Sequence, residues 1–223
     1  MIISQGKKVD FHPYKKIADD VFEIRWGKED IVERVREKVD GKLVFTDEVK
    51  ETNYCTYEIE RFFGSVPTQY VLTNTFNNAQ RVPSMEEMRI IGEAIGMKEE
   101  QMIPWMKEQL KRAVKKHDKS KAVENFTIGG VNVWMDKETR TGLLLRFQAE
   151  KAIGKTDTTL WHEGMQFPLV VDNAIQMLYA IEVYASATYD KTAEHLANVD
   201  KLESVDALIA YDFKAGYPAQ LAF

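Results

Sequence analysis

Cysteine is nearly missing from this 223-residue chain, where Cys55 stands alone. A single thiol excludes an internal disulfide framework and any zinc site built on cysteine pairs. The fold must then be held by packing, which suits a reducing compartment or a particle built inside one. With 6 prolines and 12 glycines the chain is neither collagen-like nor low in complexity. No apolar run approaches the roughly 18 residues of a membrane span, and Met1 to Lys7 lacks the apolar stretch of a signal peptide. Neither membrane insertion nor secretion is therefore expected.

Catalytic signatures are equally scarce. There is no phosphate-binding loop, no dinucleotide glycine fingerprint, no nucleophile elbow and no His-Glu-x-x-His. Gly154-Lys155-Thr156 matches only the end of a P-loop and reads as a helix C-cap. His12, His117, His162 and His195 are far apart, with no second histidine at ligand spacing. Cys55 has Asn53, Tyr54, Thr56 and Tyr57 around it and no adjacent base, so a buried structural thiol is expected. His162-Glu163 could pair for hydrolysis, but an isolated pair in a turn is ordinarily surface hydrogen bonding. The expectation is a protein without catalytic residues, cofactor or metal.

What the chain does have is ordinary globular composition, 44% hydrophobic and 29% charged, with a net charge of −5. That charge is uneven. Up to Lys121 there are 22 Lys and Arg against 21 Asp and Glu, and from Ala122 onward 8 against 14. The shift follows a basic run, Lys107 to Lys121, which marks a boundary near 118–125. The expected organisation is an α+β chain in three parts: a mixed N-terminal part over 1–82 with short strands and helices, a helical connector over 83–121, and a C-terminal α+β domain over 122–223.

Local patterns fill in these parts. Val21 to Trp26 alternates and predicts a short strand ended by Gly27. Ile31, Val32, Val35 and Val39 lie at helical spacing and predict a helix over Lys28–Val39, stopped by Asp40-Gly41. Leu43-Val44-Phe45 suggests a strand, Tyr54–Phe63 suits either strand or helix, Tyr70–Thr73 is β-prone, and Thr73–Val82 reads as extended or loop. Pro83-Ser84-Met85-Glu86-Glu87 is a capping-box start, with Gly96 as terminator. A second helix is predicted over 98–116, then a hairpin turning at Gly129-Gly130, a helix over 137–153 and two short strands around His162-Glu163-Gly164. The long helix expected over 169–196 carries Ala174, Leu178, Ile181, Ala185, Thr188 and Thr192 at steps of three and four, close to a coiled-coil seam. Ser204 can cap a last short helix.

Two groups of residues are candidate surfaces. Lys107, Lys111, Lys115 and Lys116 form a basic patch that reads first as a solvated helix face, then as a protein interface. Nucleic acid is the weakest reading, because interleaved aromatics are missing. The dense aromatics Trp26, Tyr54, Tyr57, Phe62 and Phe63, with Ala174, Leu178, Ile181 and Ala185 of the seam, are either core or an oligomer interface.

From about Thr127 to Pro218 the order of features resembles a C-terminal domain of unknown function found in phage and prophage proteins, commonly encoded among tail and tail-fibre genes. The matching pattern starts with a strand and helix at Val133-Trp134-Met135-Asp136-Lys137-Glu138-Thr139-Arg140 and passes Leu144 and Ala149 to Gly154. It continues with Thr159-Leu160-Trp161, Glu163-Gly164, a Leu169–Asp172 helix start and a Ser204–Leu208 helix. The family's polar signature before the long helix is replaced here by His162-Glu163-Gly164-Met165-Gln166-Phe167-Pro168. The resemblance implies a non-enzymatic structural or adaptor protein of a virion, in the tail, baseplate or tail-fibre attachment. It would be assembled in the bacterial host cytoplasm, with other virion proteins as partners and homo-oligomers expected. The alternative it allows is a tail-fibre assembly chaperone not retained in the particle.

Overall fold

Phe22, Ile24 and Trp26 occupy alternate positions of one strand, and all three are buried. That strand belongs to a four-stranded antiparallel sheet in the computed structural model, which describes residues 2–39 and 42–223. The sheet comprises β1 (Ile2–Lys7), β2 (Tyr14–Ala18), β3 (Val21–Val39) and β4 (Lys42–Phe63), in the order β1-β4-β3-β2. Three helices follow: α1 (Gln69–Asn77), α2 (Met85–Ala94) and α3 (Glu99–Asp118). Then come a hairpin of β5 (Phe126–Ile128) and β6 (Val131–Val133), helix α4 (Lys137–Ala152) and a hairpin of β7 (Asp157–His162) and β8 (Met165–Val170). Helices α5 (Val171–Lys201) and α6 (Val205–Ala210) complete the order. The fold is α+β, as the sequence predicts.

The chain groups into two compact units, one of Met1–Arg112 with Val199–Tyr211, the other of Ala113–Asn198 with Asp212–Phe223. In the first, Trp26 meets Phe76 edge-on at 5.2 Å, and Phe76 stacks on Trp105 at 5.9 Å. Leu72, Met88, Ile91, Met106 and Leu110 are buried with them. The sheet also buries a charge. Glu23 accepts from Arg25 at 2.5 Å and from Arg61 at 2.8 Å. Burial pushes its carboxyl up, but the two guanidinium groups outweigh this and leave it below the ordinary carboxylate range.

The structure corrects three local expectations here. Lys28–Val39 is the second half of β3 and not a helix, because it pairs with β4 along its length. Its valines and isoleucines, stiff at χ1, fit a pleated strand at least as well as a helix. The strand does not end at Gly27 but bulges there, with φ 64°. The stop assigned to Asp40-Gly41 lies outside the described residues. Tyr70–Thr73, β-prone by composition, is helical in α1, whose start Thr68 caps by accepting from the Val71 N–H. Local capping and tertiary packing override weak β propensity there.

In the second unit, one core joins Phe126, Ile128, Val133, Met135, Phe147, Leu160 and the buried face of α5. Gly129 and Gly130, with φ of 55° and 79°, turn the first hairpin. Asp136 caps α4 through the Thr139 N–H at 2.7 Å. The C-terminal segment lies alongside β5: Thr127 N–H donates to Leu221 O at 3.0 Å, and Phe223 N–H to Thr127 O at 2.8 Å. Farther back, Tyr217 stacks on His195 and meets the His117 ring edge-on, while Phe213 also meets His117. Thr192 donates to Asp118 at 2.7 Å.

His117 has its pKa held below the ordinary histidine value, first by burial, then by the charges of Lys214 and His195. The unfolded chain therefore takes up this proton first. Stability is intact above about pH 6.5 and falls as the pH drops through the lowered native value. Urea unfolding at about pH 7.5 and 5.5 should show a lower midpoint at the acidic pH. His117→Phe, which keeps an aromatic ring against Tyr217, should flatten that difference.

Candidate interaction surfaces

Where the sheet narrows from four strands to two, a rooted arm begins. The last β1 pair is Lys7↔Tyr54, and the β2 pairs end at Tyr14↔Ile24. Beyond them β3 and β4 continue alone to Val39↔Lys42. From Ile31 to Val39 this ribbon reaches about 26 Å at ~3.3 Å per residue. None of its described side chains is buried. Val32, Val44, Phe45 and Val49 are all about half exposed or more, Val49 to 61%. A two-stranded ribbon is marginal in water by itself, so this one is held at its root.

The root is a clasp on the Gly27 bulge. Glu87, third residue of α2 and acidic member of its capping box, accepts from Ser84 N–H at 2.8 Å while its Ser84 partner accepts from Glu87 N–H at 3.2 Å. The same carboxylate also accepts from the backbone N–H groups of Gly27 and Lys28, both at 3.0 Å. Arg81 completes the grip. It donates to Gly27 O and Thr56 Oγ1 at 3.0 Å each and pairs with Glu29 at 2.9 Å, while its own N–H donates to Glu58 at 2.9 Å. Lys8 ties both strands through Asp30 at 2.9 Å and Glu51 at 3.2 Å.

The arm is asymmetric. Between Asp30 and Val32 the β4 register runs from Cys55 to Glu51, and between Arg34 and Arg36 from Val49 to Phe45. The extra residues thus bulge β4, while β3 keeps its two-residue alternation. Arg34, Arg36 and Lys38 therefore share one face, opposite Val49 and Phe45, and Arg36 sits 4.6 Å from the Phe45 ring centre. Glu33 and Glu37 point to the other face, with Glu33 opposite Lys50.

The residues singled out in the sequence are dispersed. Trp26, Tyr57, Ala174, Leu178 and Ile181 are buried in their own units and so serve packing, not an exposed interface. Ala185 and Phe62 are half-buried, and Tyr54 and Phe63 are exposed. Of the basic patch, Lys107 donates to Asp200 O at 2.8 Å and Lys111 to Asp200 Oδ1 at 2.5 Å, while Lys115 and Lys116 are exposed. Burial pushes the Cys55 thiol up, away from an activated thiolate. His162 pairs across the hairpin with Met165, and Glu163 sits in the turn at φ 48°. Among the described residues, no group of three or more His, Cys, Asp or Glu side chains is arranged to hold a metal ion. No helix among them is long and apolar enough to cross a membrane.

The arm is not marked as a unit in the sequence. The signals available for it were the two-residue alternation of Arg34, Arg36 and Lys38 with Glu33, Val35 and Glu37 and the hairpin-prone Asp40-Gly41 dipeptide. Comparison with known proteins finds no matching family model, no similar curated sequence and no similar solved structure.

Glu87→Ala should cost about 2–4 kcal/mol, because it leaves three N–H groups without their charged acceptor. Gly27→Ala should cost about 1–3 kcal/mol, since the residue needs positive φ and the new Cβ would lie 2.5 Å from Arg81 Cβ. Both are read by urea unfolding, and a loss under about 0.5 kcal/mol in each would remove the clasp as a structural determinant.

Proposed function

We propose that the chain is a non-enzymatic structural or adaptor component of a phage or prophage virion, in the tail, baseplate or tail-fibre attachment. The observation that carries this reading is the rooted arm. A ribbon fixed at its base, with Val32, Val44, Phe45 and Val49 exposed among its charged side chains, is suited to bind another protein, since its own unit leaves it uncovered. The pattern from about Thr127 to Pro218, which resembles a domain encoded among tail genes, points to virion proteins as the partners. Assembly takes place in the host cytoplasm, and the partners include further copies of the chain.

The reactive-looking side chains fit this reading. Cys55, His117 and His195 are packed against neighbours, and Glu23 and Glu87 are committed to holding backbone and strands.

Mass spectrometry of purified particles from the encoding strain should detect the chain. Replacing residues 31–52 by a short turn should reduce its incorporation while leaving α-helical circular dichroism in place. Absence of the intact chain from mature particles would reject the structural role. Co-purification with a fibre protein in that case would assign a fibre-assembly chaperone.

A further inference from the structure

The basic face of the arm has a counterpart on the same chain. Helix α5 buries one side, and on the other Tyr179, Val183 and Ala187 form an exposed stripe flanked by Asp172, Asp190 and Glu194. These six residues follow one another on one helix face at spacings of three, four or seven. Val183 is 71% exposed. The stripe is apolar and acidic where the arm face of Arg34, Arg36, Lys38, Phe45 and Val49 is apolar and basic. The lengths match too. Val32 to Lys38 spans about 20 Å of strand, and Tyr179 to Glu194 about 22 Å of helix.

We infer that the chain self-assembles, with the basic face of the arm of one copy seated on the outward stripe of α5 in a second copy. This deepens the assembly role proposed above, by naming one partner as the chain itself.

Charge also disfavours one simple alternative. Two arms joined two-fold along their open β3 edges would keep each face on its own side of the sheet. Centred on Val35, that pairing sets Arg34 against Arg36 and Glu33 against Glu37 of the other copy. Like charges directly opposite are unfavourable, and so is stacking two basic faces. The acidic helix stripe is the better-matched surface for the basic face. Asp172 and Glu194 already hold Lys151 at 2.7 Å and Lys191 at 3.0 Å. Both are exposed pairs, which exchange readily for a better-ordered partner. An interface of this kind joins unlike patches, so it yields a reciprocal dimer, a ring or an open filament, according to the rotation between copies.

The test is sedimentation velocity of the full chain. At about 50 mM salt the wild type should sediment as a multiple of 25.7 kDa, and at about 500 mM salt it should shift toward one copy. Arg34→Glu with Arg36→Glu should sediment as a monomer, and so should Asp190→Lys with Glu194→Lys. All four substitutions together should restore the oligomer, because the charges are exchanged and not removed. These exposed sites leave circular dichroism and thermal unfolding near those of the wild type, which separates lost association from lost folding. A wild type that stays monomeric at low salt overturns the inference. So does an oligomer indifferent to either reversal, or a fourfold variant that stays dissociated. None of these outcomes bears on whether the chain is present in particles, so the two proposals fail separately.

Discussion

The carboxylate of Glu87 is the interaction on which the first unit turns. One side chain closes the N-terminus of α2, holds the backbone of the Gly27 bulge, and thereby sets the direction in which two strands leave the sheet. A charged acceptor shared by three backbone donors is worth more than three separate neutral bonds. It also demands that helix and bulge be placed within a few tenths of an ångström of each other. Arg81 grips the opposite side of the same bulge, so the glycine conformation is held from two directions. The aromatic stack of Trp26, Phe76 and Trp105 supplies apolar burial beside it, and the clasp converts that core into a defined exit for the arm.

The same division of labour recurs in the second unit. Its core is formed by residues small enough for close approach, Ala174 among them, and by Phe126, Phe147 and Leu160. Polar groups are placed at the seams between elements. Arg140 reaches from α4 to Met135 O and Glu182, and Tyr184 donates to Val123 O at 2.7 Å. Buried polar groups with fixed partners select one arrangement of elements from among the many that would bury similar apolar area. In both units the charged side chains of the interior are spent on architecture.

Much of the second unit is legible in the sequence because its signals are local. Asp136 and Ser204 cap helices, Gly129-Gly130 and Glu163-Gly164 turn hairpins, and the four- and three-residue spacing from Ala174 to Thr192 marks a helix face that is in fact largely buried. The capping box at Ser84 and Glu87 is equally plain, but its second role is not. Nothing near residue 87 in sequence indicates that its carboxylate also serves residues 27 and 28. The arm fails to declare itself for a related reason. Ile31, Val32, Val35 and Val39 fit a helical wheel, and the extra residues that bulge β4 blur the two-residue rhythm of the partner strand. Only pairing across some twenty positions resolves the ambiguity, and pairing is a tertiary fact. The aromatics from Trp26 to Phe63 show the same limit: composition makes them core or surface alike, and their strand faces separate buried Tyr57 from exposed Tyr54.

Helix α6 belongs with the first unit, although the 86 residues of 113–198 precede it in the chain. Order of synthesis and order of completion therefore diverge. At about 5–20 residues per second of translation, the first unit waits several seconds for its last helix while the strands of the arm are already outside the ribosome. During that interval the newborn sheet is open to neighbours on the same message. The clasp of Glu87 and Arg81 on Gly27 joins segments that are all made early, so it can form before α6 arrives, and Arg81, bound to Gly27 of β3 and Thr56 of β4, ties the two strands together through the wait.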